Sequence, residues 1–483
     1  MANIDKTEEN RQLKKQLKQA LRKIEKLQSE NESLKTKNKV LSTESKKKTA
    51  EIDSLIADRK GTGSNGVTIP RYRHQEIAIR YAVMLYVYAG ISSHQVPKVM
   101  ELACLLWNGI TDGIPSHVTV LEWVEKCGLS LTKGCMKEKA AEEAYSLIFD
   151  NSITVCGQDL HLELIASSEH PGHSLSQANV SVVRMKAGRG WDTEMIKAQL
   201  EQTIKEEGHN PEYVVSDNGL NMCKAARELG LKHHKDISHS FGMFLETVYS
   251  KDPEFCDFIA KKGYARKFSH TSMACLMPPK RREFARFMNV FETVHWAKAV
   301  IENEHLLSSR EKYMLGFVKT HASLVEELTE VMAGYEYMEQ LCKNEGLSHK
   351  TARMCRDYIV RNFMTKGDRM RRLGDMVVGY FNREETLLED DEPHNICSDI
   401  IESTFGYFKS RMSPNKNNGY TPLVLLIPLR LQINSIEDCK RFNARTAIGK
   451  TKMQDVKKWR ADNLLPNPSI KRMNVLKKVS YSI

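Results

Sequence analysis

The sequence predicts an α/β protein. A mixed sheet carries a large all-helical insertion and is preceded by an N-terminal coiled coil and a small helical domain. Three observations lead there. Leucines recur every seven residues near the N-terminus, the apolar period switches to two from about Ser146, and strand character disappears again over 241–392. A chain of 483 residues has room for two to four domains.

Residues 1–60 read as a coiled coil. Leu13, Ala20, Leu27, Leu34, Leu41, Lys48 and Leu55 form one heptad series, and Leu17, Ile24, Asn31, Asn38, Ser45 and Ile52 form the other. Neither Pro nor Gly interrupts them before Gly61. Facing asparagines can bond across a two-stranded seam, which predicts a parallel homodimer through residues 13–55. Lys48 and Ser45 weaken the later heptads, so a single solvated helix is the competing reading.

Residues 61–70, with Gly61, Gly63 and Gly66, form a linker. Over 71–135 the helical period returns with Ile77, Tyr81, Met84 and Tyr88, then Val96, Met100 and Ala103. A turn at Gly90 to Ser93 and a capping Ser116 complete a helix-turn-helix pattern, read as a DNA-binding domain. A plain helical packing domain would look the same.

The segment 140–240 alternates. Ser146–Val155, Leu160–Ala166, Val180–Arg184, Tyr213–Ser216 and His233–Ser238 read as strands, with a turn at Gly157 to Asp159. Helices follow the third strand (Trp191 to Glu207) and the fourth (Asn218 to Leu229). Three meandering strands, then helix-strand-helix-strand, is the order of a ribonuclease-H-like core. The insertion runs 241–392. The last core segment, 393–432, holds a helix near Ser398–Met412, and 433–483 reads as a basic tail.

Three carboxylates stand out. Asp150 lies in the first strand, Asp217 ends the fourth, and Glu402 borders the apolar stripe of the late helix. Neighbouring strand ends would bring the first two together, since open α/β sheets place ligands at strand carboxyl ends. Each acid also has a plain reading. Asp150 can be a solvated strand residue, Asp217 a helix cap and Glu402 a surface acid. Asp159 competes as first acid but falls in the expected turn.

With Phe149-Asp150-Asn151, Tyr213-Val-Val-Ser-Asp217-Asn-Gly219, Asp236-Ile-Ser-His239 and Ile401-Glu402 through Lys409, the chain resembles DDE-type transposases of bacterial insertion sequences. The resemblance covers about 140–430 and implies a ribonuclease-H-like core. Asp150, Asp217 and Glu402 would be its catalytic residues and hold two Mg²⁺ ions, with Mn²⁺ as a substitute. Lys409, seven residues after Glu402, would contact DNA. Asp236 and His239 match a motif that shapes the site in many relatives, and Trp296 of the insertion stands where some groups carry a DNA-stabilising Trp. The 185 residues between Asp217 and Glu402 exceed the spacing of compact members, as an insertion would require.

The implied activity is DNA strand cleavage at transposon ends and strand transfer, with terminal repeats and target DNA as partners. The competing reading is a non-catalytic DNA-binding regulator, perhaps a domesticated transposase. A net charge of +11 suits either. The Arg281, Arg282, Arg286 and Arg369, Arg371, Arg372 clusters could grip phosphates or be solvated faces. Eleven cysteines without a Cys-x-x-Cys pair argue against a zinc site or disulfide framework. No run of about 18 apolar residues suggests a membrane span. A cytoplasmic, nucleoid-associated protein is expected.

Overall fold

The computed structural model describes residues 72–107, 113–138, 144–167, 174–268, 276–279, 290–389, 392–412, 416–449 and 451–480, together with Leu27, Asn31, Leu34, Lys35 and Lys37. Those five are helical and exposed. The rest of the expected coiled coil, and the linker, lie outside the described residues. The fold is mixed α/β, with helix predominating around one small sheet. Among the described residues no helix is long and apolar enough to cross a membrane.

The sheet has five strands: β1 (Tyr145–Val155), β2 (Gln158–Ser167), β3 (Val180–Gly188), β4 (Tyr213–Ser216) and β5 (His233–Lys235). Their spatial order is β3-β2-β1-β4-β5. The first three run antiparallel as a meander, and β4 and β5 add in parallel beside β1. Both parallel additions need crossovers, supplied by α4 (Thr193–Glu207) and α5 (Leu220–Glu228).

The β1–β2 turn corrects the expected one. It closes on Cys156 and Gly157, both with positive φ. That is the twist a two-residue hairpin needs. Gln158 and Asp159 therefore belong to β2. Asp159 accepts from the Thr154 hydroxyl at 2.6 Å and from the Gly190 amide at 3.2 Å.

Alternation assigns the two faces of the sheet. Leu147, Phe149 and Val214 point to the α4 and α5 side, against Ile196, Leu200 and Ala225. Ile148, Leu162, Tyr213 and Val215 point to the other side. There they meet Ile401, Phe405 and Phe408 of the late helix (Asp399–Arg411). Truncating either buried Phe would cost about 3–5 kcal/mol.

Between β5 and that helix the chain forms its own apolar core. It comprises α6 (Ile237–Tyr249), α7 (Pro253–Phe268), α8 (Val290–Glu302), α9 (Ser309–Thr320), α10 (Ala322–Glu345), α11 (His349–Asn362) and α12 (Asp368–Glu385). The late helix is then α13. These helices form one packed body between β5 and α13.

The N- and C-terminal segments differ from expectation. Helices α1 (Glu76–Val87), α2 (Val96–Trp107) and α3 (His117–Glu138) do not close a core alone. They share one with α14 (Leu426–Gln432), α15 (Ile436–Arg441) and α16 (Ala444–Gly449). The approach is close enough that a Cβ at Gly128 would lie 2.0 Å from the Leu425 carbonyl oxygen. The segment expected to be a basic tail is thus folded back through residue 464. Ile433, Cys439, Phe442, Ile448 and Val456 are buried among its cations. Two more helices follow, α17 (Met453–Asn463) and α18 (Pro468–Ser480).

Candidate active site

Asp150 and Asp217 come to the same sheet edge through register. Ile148 of β1 is abreast of Val215 of β4, so two residues further on the same parity reaches Asp150 and Asp217. Both then belong to the face that packs against α13. Asp150 is nearly buried, and one carboxylate oxygen accepts from the Asn151 amide at 2.7 Å. Asp217 lies one residue beyond β4. Its Oδ1 accepts from the Gly219 amide at 2.9 Å, an Asx turn that starts α5. The cap of α5 is Gly219 rather than Asp217, so the plain reading of Asp217 as a helix cap is met only by this turn ahead of the helix. The other Asp217 oxygen faces His239.

Glu402 sits in the first turn of α13, 46% exposed. Its neighbours Ile401 and Phe405 anchor the helix, so the carboxylate stands at the border of the buried stripe. Lys409 is exposed two turns further along the same helix.

The residue that joins the acids is His239, in the first turn of α6. Its Nε2 is 3.0 Å from Glu402 Oε1, and its Nδ1 is 3.6 Å from Asp217 Oδ2. One imidazole thus lies between two carboxylates from separate elements. The ring itself is 8% exposed.

Asp236 fixes the backbone that carries that ring. It is fully buried and caps α6, with Oδ1 accepting from the His239 amide at 2.7 Å. Its Oδ2 accepts from the amide and hydroxyl of Ser398 at 2.7 and 2.9 Å. Ser398 is the residue before α13. A single carboxylate therefore ties the start of α6, which carries His239, to the start of α13, which carries Glu402. The pair Asp236 and His239 interacts through the backbone amide, and the imidazole is left for the acids.

A second polar cluster lies below. Glu384, at the end of α12, meets His234 Nδ1 at 2.9 Å, and His234 Nε2 meets His394 Nδ1 at 2.9 Å. Burial pushes the Glu384 carboxyl up to about 7 and the His234 imidazole down to about 3. A neutral His234 has one donor and one acceptor, which suits a carboxylate on one side and a second ring on the other. His394 stacks on Tyr213 with centroids 4.1 Å apart, and the Asn395 amide donates to the Tyr213 hydroxyl at 2.9 Å. The loop that delivers α13 is held at each of these points.

Other expected residues fall elsewhere. Trp296 is partly buried against the core of the helices between β5 and α13. Its indole N–H donates to the Leu276 carbonyl at 2.9 Å, and its ring lies against Phe317. Arg369 is ion-paired to Glu327, Asp252 and Glu254, which makes it a helix-to-helix tie. Arg281, Arg282 and Arg286 lie outside the described residues. Ser398, Glu384 and His394 were not singled out from the sequence; no spacing marks them, because their partners are distant in the chain.

The donor set fits a hard cation. Three carboxylates on one side of the sheet are the oxygen ligands that Mg²⁺ takes. Among the described residues, no group of three His, Cys, Asp or Glu already converges closely enough to hold an ion. Glu402 is the most exposed of the three acids.

No known family model matches the chain, and no curated protein matches it.

Proposed function

We propose that the chain is a DDE-type transposase with a ribonuclease-H-like core, which cuts a phosphodiester and transfers the freed strand to target DNA. The observation that carries this reading is the convergence at one sheet edge. The order β3-β2-β1-β4-β5 aligns Asp150 with Asp217, and His239 hydrogen-bonds Glu402 and lies 3.6 Å from Asp217. The same strand order, with antiparallel β1–β3 and parallel β4 and β5, supports the ribonuclease-H-like assignment. The helices between β5 and α13 correspond to an insertion in that core.

In this reading Asp150, Asp217 and Glu402 would hold two Mg²⁺ ions, with Mn²⁺ as a substitute. When bound, such ions activate the attacking oxygen and neutralise charge on the leaving one. The chain's own residues do the positioning. Asp236 and Ser398 set the start of α13, so Glu402 is delivered to the sheet edge at a fixed height. His239 stands between Glu402 and Asp217, 3.0 Å from one carboxylate and 3.6 Å from the other. Lys409, two turns along α13, meets a DNA phosphate as a point charge. The helical module α1–α3 contributes DNA contacts, and a parallel homodimer through residues 13–55 brings two ends together. The protein works where DNA is, on the nucleoid.

The rival reading is a regulator that binds DNA without cutting. Its supporting observation is that no ligand trio is already closed among the described residues. One experiment separates the two. Purified chain is incubated with supercoiled plasmid carrying its element's ends, with Mg²⁺ or with EDTA. Nicking that needs Mg²⁺ and drops at least ~1,000-fold in Asp217→Asn, with DNA affinity kept within about tenfold, supports cutting. Equal nicking by Asp217→Asn removes the assignment. Binding without nicking selects the regulator.

A further inference from the structure

We infer that His161 is a positioning residue for Asp150: acting through Asn151, it sets the first of the three acids to receive a divalent cation. The assignment rests on the reading of those acids as an ion site, and it names the side chains that prepare one of them.

Register places the pair. Asn151 of β1 and His161 of β2 stand directly opposite each other, and Asp150 stands opposite Leu162. Just beyond, the ladder slips. It resumes from Ser152 to Val155 on β1 and from Leu160 to Gln158 on β2, one residue more on β1. Such a bulge bends its strand and re-aims nearby side chains. The setting of Asp150 therefore depends on what holds β1 on each side of the bend. On the far side, the Thr154 hydroxyl donates to Asp159 at 2.6 Å. On the near side, the hold is His161.

The His161 side chain is fully buried. Its Nδ1 meets Asn151 Oδ1 at 2.5 Å, and its Nε2 meets Glu163 Oε1 at 2.8 Å. Glu163 is fully buried too, and its Oε2 accepts from the Thr203 hydroxyl. That hydroxyl accepts in turn from Arg184 Nε at 2.8 Å, and Arg184 pairs with Glu206, in the last turn of α4, at 2.6 Å. The Trp191 ring lies 4.8 Å from the imidazole, and its indole N–H donates to the Asp159 carbonyl at 3.2 Å. The imidazole is thus fixed through both nitrogens and against a ring. A buried polar chain satisfied along its length is rigid.

This chain runs on the α4 side of the sheet, whereas Asp150 belongs to the α13 side. Asn151 joins the two. Its side chain is held by His161, and its backbone amide donates to the Asp150 carboxylate at 2.7 Å. Asp150 is also the least exposed of the three acids, so its setting comes from the protein around it. Groups that orient a ligand without touching the ion are worth about 10–100-fold in affinity.

The test is calorimetric titration of Mn²⁺ into the metal-free full chain, with thermal unfolding of the same samples. Asn151→Ala leaves the His161–Glu163 contact in place. It should weaken Mn²⁺ binding about 10–100-fold, while its melting midpoint stays within about 3 °C of wild type. His161→Gln should weaken binding at least about tenfold. The double variant should bind within about threefold of the weaker single variant, because both residues act along one path. In nicking, Asn151→Ala should raise the half-saturating Mg²⁺ concentration about tenfold and leave the rate at saturating Mg²⁺ within about threefold, a split that a general loss of structure would not produce. Mn²⁺ affinity of Asn151→Ala within about twofold of wild type would overturn the proposal, and so would losses that multiply in the double variant. Should His161→Gln fail to fold, Asn151→Ala decides alone. If the Mn²⁺ losses appear as expected but wild type never nicks, the transposase reading fails and the positioning role stands. If Asp217→Asn abolishes Mn²⁺ binding and nicking while Asn151→Ala alters neither, the transposase reading stands and the positioning role fails.

Discussion

His234 and His239 are five residues apart, and each touches a carboxylate from a distant element, yet the two clusters differ in kind. His234, Glu384 and His394 are sealed from water, and burial moves the pKa of His234 down and that of Glu384 up. Both His234 ring nitrogens, His394 Nδ1 and both Glu384 oxygens are engaged. His239 faces Asp217 and Glu402, which are 26% and 46% exposed. A sealed network of this type rivets elements together. An open pair of acids with one imidazole between them can exchange that imidazole for a ligand. The difference is set by the strand period: adjacent His233 and His234 point to opposite sides of β5, and Asp236 turns the chain into α6 before His239 is reached.

The contrast can be broken at its sealed end first. Glu384→Ala removes the acceptor for His234 Nδ1 and for the Lys235 amide, leaving buried donors unpaired. Urea unfolding should show a loss of about 3 kcal/mol or more. A loss under about 1 kcal/mol would mean that the network is not a rivet.

A smaller effect follows with pH. The Glu384 carboxyl titrates at about 7 in the folded chain against an ordinary 4.5. The folded state therefore holds a proton that the unfolded chain has released between these values. Its contribution is full below about 4.5 and is lost as pH rises through about 7. Arg383, Lys235, His234 and His394 face the same carboxyl and are common to wild type and variant. Against Glu384→Gln, which cannot titrate, wild type should lose on the order of 2 kcal/mol of relative stability from pH 5 to pH 8. A difference between the two that stays flat over this range contradicts the raised pKa.

The smallest effect is expected at the open end. His239→Gln should alter stability by less than about 1 kcal/mol, because Asp236 bonds the backbone amide there, which the substitution keeps. Mg²⁺-dependent nicking should fall about tenfold as Glu402 loses its partner. Greater damage to stability than to nicking would place His239 with the rivets.

Much of this was legible in the sequence, and the reasons are local. The period of two fixed β1–β4, the apolar stripe of Ile401, Phe405 and Phe408 fixed α13, and Asp217-Asn-Gly219 marked the end of β4. The hairpin was misplaced because the turn falls on Cys156, a residue without a turn preference, and so Asp159 was assigned to the wrong element. The basic tail was misread because scattered lysines and arginines hide Ile433, Phe442 and Ile448, whose apolar character matters only once α1–α3 are present to cover them. Trp296 is a candidate by position alone, and its indole packs on Phe317 and donates to the Leu276 carbonyl.

The sequence by itself determined the element types, the order in which the acids arrive, and the presence of a separate helical body between Asp217 and Glu402, because periodicity and turn chemistry act over a few residues. Only the tertiary structure decided which charges meet. Asp236 holding Ser398 across 162 positions, His239 reaching Glu402 and His234 reaching Glu384 are long-range pairings. Nothing in local composition encodes them; they exist because the packing of the helical body against the sheet removes water from some polar groups and leaves others open.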